Sequence, residues 1–313
     1  MTKNVLVTGA TSGIGQATTQ TLSNRGYTVF ATYRDPRDRA ALADLPNVHP
    51  IQLDLNDLEQ IGPAFQQIGA TVGGDGLFAV INNAGIGYTA PFEFADVDRV
   101  RQIIDVNLMA PYLVAQASVP LLRRYNESNN DAKRNKARVI NVASWASVMA
   151  SPFIGFYNAT KAGLTGLTES MYYDLGLLGI HTVLANPGVT KTPLHAKTTG
   201  AALESLAAIP AGERERYRPY LEHFATMGDR SDSVKMLLTP EQAAAKLAAI
   251  VEARKPRYKY NLSPDAKLIG HVVTRLLPFR ARAAMTRRMY QLNRPVSAAA
   301  YAGPERTPLG VPS

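Results

Sequence analysis

Short apolar runs alternate with longer amphipathic stretches over the first two-thirds of the chain. Val5-Leu6-Val7, Thr28 to Thr32, Pro50 to Leu53, Leu77 to Ile81, Val139 to Val142 and His181 to Ala185 are brief and mostly apolar. Runs of that length suit strands buried on both faces. Between them apolar residues recur at helical spacing. One such stretch passes Ala17 and Leu22 to a stop at Asn24-Arg25-Gly26, another is IIDVNLMAPYLVAQA, and a third is FYNATKAGLTGL. This alternation from Val5 to Ala185 predicts an α/β fold built on a doubly wound parallel sheet. Asn126 to Ala137 is polar and aperiodic, and reads as a solvated surface loop. Thr239-Pro240-Glu241 opens a last regular helix, with Thr239 as N-cap and Pro240 in the first helical position.

Directly after the first strand comes Thr8-Gly9-Ala10-Thr11-Ser12-Gly13-Ile14-Gly15, and a helix follows. Gly9 permits a tight turn, Gly13 lets the backbone approach a pyrophosphate, and Gly15 lets the helix pack close to the strand. The helix N-terminus offers free N–H groups and the positive end of its dipole to phosphates. A strand, glycine loop, helix and strand in that order are the context a dinucleotide site requires. Farther on, Tyr157 and Lys161 stand four apart in a helical stretch and share one face. A phenol, with a free pKa of about 10, is a poor acid at neutral pH. An ammonium one turn away favours the phenolate.

Thr8 to Gly15, spaced Gly-x-x-x-Gly-x-Gly, resembles the signature of the short-chain dehydrogenase/reductase family. Asn82-Asn83-Ala84-Gly85, the helix-borne Asn107, Ser144 at a strand end, the Tyr157/Lys161 pair and Asn186-Pro187-Gly188 follow in the family's order. ATYRDP and KPRYKYNLSPDAKL are similar to the subgroup of 17β-hydroxysteroid and retinol dehydrogenases and their bacterial relatives. The resemblance implies a single Rossmann-type domain over residues 1–253, with 192–239 as a substrate lid and 254–313 as a basic C-terminal extension. It implies Tyr157 as general acid in carbonyl reduction and general base in alcohol oxidation. Lys161 would lower the pKa of Tyr157 and hold the nicotinamide ribose. Ser144 would hold the substrate oxygen, and Asn107 would stabilise a break in its helix and position a water behind Lys161.

For the cofactor, the resemblance implies contacts from Gly9, Thr11, Ser12, Gly13, Ile14 and Gly15 in the first loop. Asn82, Ala84 and Gly85 would add to them, as would Tyr157 and Lys161. Pro187, Gly188, Val189 and Thr192 would lie beside the nicotinamide. Asp54-Leu55 is similar to the family's adenine-contacting pair, and a helix N-cap before Leu58 is the competing reading. The second strand ends Ala31-Thr32-Tyr33-Arg34-Asp35. Arg34 is placed to meet a 2′-phosphate and Ser12 adds a hydroxyl, whereas Asp35 is the kind of carboxylate that binds a ribose hydroxyl. The expectation is NADP(H) preferred, with NAD(H) left open.

Composition narrows the rest. Among 313 residues there is no cysteine, which excludes disulfides and thiolate metal sites and fits a cytoplasmic protein. Five scattered histidines lack metal-ligand spacing, so no metal is expected. MTKNVLVTG runs straight into the first strand, so no signal peptide is expected, and no apolar run reaches the roughly 18 residues that span a bilayer. Of 34 basic and 25 acidic side chains, residues 254–313 hold 12 and 2, leaving 22 and 23 in the first 253. That tail sets Leu268, Ile269, Val272, Val273, Leu276, Leu277 and Phe279 among Lys267, Arg275, Arg280, Arg282, Arg287 and Arg288, with a break near Pro278. The pattern reads as a peripheral membrane contact, or as an element folded over the substrate mouth or against a second subunit of a homo-oligomer. No recognition motif accompanies it, so no nucleic acid is expected.

The main expectation is an NADP(H)-dependent oxidoreductase interconverting a carbonyl and an alcohol on a small lipophilic molecule: a steroid, retinoid or long-chain compound. Leu194, Leu203, Leu206, Ile209, Tyr217, Tyr220, Leu221 and Phe224 in the lid suit such a substrate, or simply pack helices. One alternative is a 3-oxoacyl-carrier reductase whose tail attracts an acidic carrier. Another is an NADP(H)-binding regulator without turnover, which should lack Tyr157 or Lys161.

Overall fold

The structure, a computed structural model, describes residues 3–128, 135–190, 192–230, 238–269 and 273–292. Its centre is a seven-stranded, all-parallel sheet in the order β3-β2-β1-β4-β5-β6-β7. The strands are β1 (Asn4–Val7), β2 (Thr28–Tyr33), β3 (Val48–Gln52), β4 (Ala79–Asn82), β5 (Arg138–Val142), β6 (His181–Asn186) and β7 (Lys259–Asn261). Every residue of β1, β4 and β5 is buried, which is why these strands read as unbroken apolar runs. Strand order reverses between β1 and β4. Val7 pairs with both Ala31 and Ile81, so the carboxyl ends of the central strands lie level and open a crevice at that switch point.

Helices flank the sheet: α1 (Gly13–Asn24), α2 (Arg39–Ala43), α3 (Ile61–Val72), α4 (Val97–Ile104), α5 (Ala110–Ser128), α6 (Gly155–Leu177), α7 (Pro193–Ala208), α8 (Ala211–Arg230), α9 (Pro240–Glu252), α10 (Pro264–Leu268), α11 (Thr274–Leu276) and α12 (Phe279–Met289). α1 packs on α9, and α3 on α5. The start of α9 follows the sequence pattern: Thr239 Oγ accepts from the Gln242 N–H at 3.2 Å, and the Gln242 side chain accepts from the Thr239 N–H at 3.1 Å.

Three sequence expectations change. The seventh strand comes from residues 259–261, inside the segment set apart as an extension, and pairs with β6 from Leu184↔Lys259 to Asn186↔Asn261. The polar stretch from Asn126 begins as the last turn of α5, and residues 129–134 lie outside the described part. Its ends are pinned rather than solvated: Asn126 Oδ1 accepts from the Ala137 N–H, and buried Asn135 accepts from the Arg138 guanidinium. Among its described residues the tail is not one broken helix but β7 and three short helices, with Pro278 as the N-cap of α12. Val272 lies outside the described residues.

α7 and α8 form an antiparallel-style cap of their own, with a second small core of Ala202, Leu206, Ile209, Leu221 and Phe224. Tyr290, just past α12, completes that core. Half-buried Phe94, Phe153 and Ile154 from the main domain pack against it. The cap leaves the sheet after β6 and rejoins it where Leu238 bridges Thr190.

Candidate active site

The glycine loop after β1 leaves no room for side chains. Gly9 has φ +64, and a Cβ there would come within 2.9 Å of Ala84 Cα; one on Gly15 would strike the Gly9 carbonyl oxygen and the Asn83 amide. The two loops after β1 and β4 are therefore pressed together. Thr8 staples them: its hydroxyl accepts from the N–H groups of Asn83 and Ala84 at 3.0 and 3.1 Å. Asn83 Nδ2 donates back to Thr8 O at 3.0 Å. Ser12 is the N-cap of α1, yet its side chain makes no capping bond and is exposed. Thr11 and Gly13 are half-buried, and Thr192 faces Gly13 from the start of α7, with Cγ2 3.1 Å from where a Cβ would sit. Ile14 instead packs its side chain on the main core. The N–H groups of the first turn of α1 make this helix N-terminus a ready anion site.

At the end of β2, Asp35 and Arg34 part ways. Asp35 accepts from the Arg37 N–H at 2.9 Å and pairs with the Arg37 guanidinium, which holds its carboxyl down at about 2. Arg34 is exposed beside it. Asp54 closes a local turn, accepting from Asn56 N and Nδ2 at 3.0 and 2.6 Å, and Leu55 is buried in the core. The cap before Leu58 is Asp57, not Asp54.

The loop after β4 leads inward. Asn82 does not face the crevice. Its side chain is buried and donates to Asn141 Oδ1 at 2.8 Å and Pro111 O at 3.1 Å, tying β4 to β5 and α5. Gly85 lies against both Asn107 and Lys161, with 3.3 Å from its Cβ position to Asn107 Oδ1 and 3.5 Å to Lys161 Nζ. Asn107 is fully buried in a single π-helical turn, Asp105–Met109, between α4 and α5. Its amide clasps Ile86, accepting from the N–H at 2.8 Å and donating to the carbonyl at 2.9 Å. A widened turn of this kind interrupts the helix and is common at functional sites.

Ser144, Tyr157 and Lys161 meet beside this turn. Ser144 ends β5's extension, where its Oγ accepts from the Ala146 N–H at 3.1 Å. Tyr157 lies in the first turn of α6 and Lys161 one turn on. Lys161 is 3% exposed; its Nζ donates to Val142 O at 3.1 Å and lies 5.8 Å from the Tyr157 ring centre. Burial brings the Lys161 ammonium down to about 8. Burial pushes the Tyr157 phenol above its ordinary value, while hydrogen bonding from the Ser144 hydroxyl works the other way. The net direction at the phenol is therefore upward, contrary to expectation, because desolvation of the phenolate prevails while the Lys161 ammonium is turned to the Val142 carbonyl.

The loop after β6 completes the rim. Pro187 O accepts from the Trp145 N–H at 3.2 Å, next to Ser144. The Val189 N–H donates to Asp265 Oδ2 at 2.9 Å, and Gly188 abuts the Asp265 carboxylate and the Ser263 hydroxyl. Sequence reasoning missed Asp265, Thr8 and Asn83 as organisers of the site. Asn83 lay within a quoted motif, but Asp265 is 76 residues from its partner and carried no local signal. Phe153 was also missed. It adopts φ +63, unusual for a bulky side chain, and meets Phe224 of the cap edge-on at 6.1 Å.

Fold and crevice define a doubly wound α/β protein with a buried cluster of polar and ionisable groups at the switch point. Comparison with known proteins gives the family. Residues 3–202 match the model described as short chain dehydrogenase, and the chain belongs to that family of oxidoreductases. It is 30% identical over 266 residues to the 3-amino-tetrahydro-pyrrolizinone reductase of Xenorhabdus hominickii, covering 85% of this chain and 88% of that one. It is 28% identical over 278 residues to the NADPH-dependent 3-dehydrocapnine reductase of Ornithobacterium rhinotracheale, covering 88% and 93%. Retinol dehydrogenase 5 of Homo sapiens is 28% identical over 273 residues, covering 85% and 82%, in keeping with the subgroup resemblance. Among solved structures, a short chain dehydrogenase from Burkholderia cenocepacia in complex with NADP superposes with a TM-score of 0.65 at 21% identity, covering 92% and 97%, and shares the fold.

Proposed function

We propose that this protein is an NADP(H)-dependent oxidoreductase that interconverts a carbonyl and an alcohol on a lipophilic small molecule. The observation that carries the reading is the meeting of Ser144, Tyr157, Lys161 and Asn107 at one end of the sheet, beside a glycine loop with no room for side chains. The residues present fit a dinucleotide. The α1 N-terminus and the uncapped Ser12 hydroxyl would hold its phosphates, and Lys161 its ribose. Exposed Arg34, with Asp35 already engaged by Arg37, favours a 2′-phosphate over a bare ribose hydroxyl. A relative named NADPH-dependent and a neighbour in complex with NADP support the same choice.

When bound, the nicotinamide supplies or accepts the hydride. The Ser144 hydroxyl orients the substrate oxygen, and Tyr157 donates a proton to that oxygen in reduction and removes it in oxidation. Lys161 stands behind Tyr157 as a cation whose charge offsets the developing phenolate, and Asn107 holds the widened turn that keeps Gly85 and Lys161 in register. The cap, with Phe94, Phe153, Tyr217 and Phe224 around its core, supports an apolar substrate. Relatives acting on a retinol or a dehydrocapnine, by name, point the same way. A cytoplasmic place of action fits a chain without cysteine.

The test is the consumption of NADPH against ketones and aldehydes graded by size and hydrophobicity, in wild type and Tyr157→Phe. Turnover of lipophilic substrates that vanishes in Tyr157→Phe, with NADPH binding retained, is the expected result. Activity that survives in Tyr157→Phe overturns the assignment of Tyr157. Activity confined to carrier-linked 3-oxoacyl groups overturns the substrate class, and NADPH binding without turnover of any carbonyl overturns the enzyme reading.

A further inference from the structure

Away from the crevice, the most unusual surface is the last described segment. Residues 273–292 carry five arginines and no acidic side chain. On α12, Arg280, Arg287 and Arg288 are spaced to share one outward face and all are exposed, as is Arg275 on α11. Leu276 and Phe279 stand at the junction of the two helices with 72% and 74% of their surface in solvent, and Met285 and Met289 are exposed one turn apart on the neighbouring side of α12. A lone exposed leucine is ordinary. Four exposed apolar side chains interleaved with arginines, with no acidic residue in the same described segment, are not.

We propose that the face from Arg275 to Met289 docks this protein reversibly on an anionic lipid surface. Leu276 and Phe279 enter the headgroup region, and the arginines meet the lipid phosphates and carboxylates. No helix among the described residues is long and apolar enough to cross a membrane, so the contact is one that lies on the bilayer. The C-terminal end of this segment is moored to the cap. Tyr290 stacks on Phe224 with ring centres 6.0 Å apart, and His223 Nε2 is hydrogen-bonded to Met289 O at 3.1 Å. Docking therefore brings α8 and the cap to the lipid surface, where an apolar substrate would be dissolved. That consequence rests on the lipophilic-substrate reading; the docking itself does not.

The experiment is sedimentation of the full chain with vesicles of phosphatidylcholine alone and of phosphatidylcholine with phosphatidylserine, at low and high salt. Binding only to the anionic vesicles, lost at high salt, is expected. Each arginine contributes about fivefold to partitioning, so Arg280→Glu/Arg287→Glu/Arg288→Glu should lower it by at least about 100-fold. Leu276→Ser/Phe279→Ser keeps the charge, replaces only exposed side chains, and should lower it by about 10-fold or more. Both variants should turn over a small water-soluble carbonyl at the wild-type rate without vesicles, which shows that they are folded. Wild type left in the supernatant with anionic vesicles at low salt overturns the proposal. So does binding that Leu276→Ser/Phe279→Ser leaves intact, binding to an oligonucleotide but not to vesicles, or a dimer that the serine variant dissociates. Failure of vesicle binding leaves the active-site reading untouched, and an inactive enzyme leaves the vesicle result readable.

Discussion

Replacing Lys161 by Met should make the protein more stable at neutral pH while disabling it. Lys161 is 3% exposed and, among the described residues, its ammonium donates one hydrogen bond, to Val142 O. Burial takes its ammonium from 10.5 in the unfolded chain to about 8. Folding with that charge buried costs about 3 kcal/mol at pH 7. Met fills much of the same space and forfeits the hydrogen bond, a loss of about 1 kcal/mol. The variant should therefore gain about 2 kcal/mol, the pattern of a functional group held at the expense of stability. The sign with pH follows from the folded value lying below the unfolded one. Between about pH 8 and 10.5 the unfolded chain binds the extra proton, so wild type gains stability relative to the variant as pH rises through that window. Below pH 8 the whole penalty is present, and above 10.5 it is gone. Denaturant unfolding of both proteins from pH 7 to pH 10.5 reads the difference directly, since every other titrating group is shared. Turnover of the variant should fall by about 10²- to 10⁴-fold. A variant less stable than wild type at pH 7, with a difference flat across the window, would falsify the claim that this ammonium is desolvated.

The held-up phenol predicts opposite pH profiles for the two directions. Because burial keeps Tyr157 protonated through the neutral range, carbonyl reduction should hold its rate from pH 6 to 9 while alcohol oxidation climbs with pH; an oxidation rate flat over that range argues against Tyr157 as the base. Arg34→Ala should raise KM for NADPH by about 10- to 100-fold and leave KM for NADH within about twofold, since a charged hydrogen bond to phosphate is lost in one case only; equal losses with both cofactors would refute the 2′-phosphate role. Asp265→Ala frees the Val189 N–H and should cost about 1–3 kcal/mol in unfolding free energy, with KM for NADPH raised several-fold. Asp265→Asn, which keeps an oxygen acceptor, should recover most of both, and an Asp265→Ala enzyme with wild-type KM would show that this brace does not reach the cofactor.

What could be read from the chain divides along a physical line. Five of the six strands seen in advance are buried almost throughout, so burial is written into consecutive residues, and only β3 alternates. β7 has only three residues, all half-buried, and nothing local marks Lys-Tyr-Asn as a strand. It forms because β6 offers an open edge that residues 259–261 can reach. The motif residues were legible for a similar reason: a turn that forbids side chains requires glycine whatever surrounds it. Their duties were less so. Asn82 looked like a cofactor contact but spends its amide on Asn141 and Pro111, and Asp35 looked like a ribose ligand until Arg37 two residues on claimed it. In both cases residue type announced a capacity for hydrogen bonding and only the folded neighbourhood assigned the partner. Lys161 is the sharpest instance. Its spacing from Tyr157 predicts a cation that depresses a phenol, and the spacing is met, yet desolvation acts on both groups and reverses the net direction at Tyr157. Pair spacing on a helix fixes which side chains are neighbours. The local dielectric decides which protonation state each prefers, and that is a property of Val142, Gly85 and Asn107 around them, contributed by three separate stretches of chain.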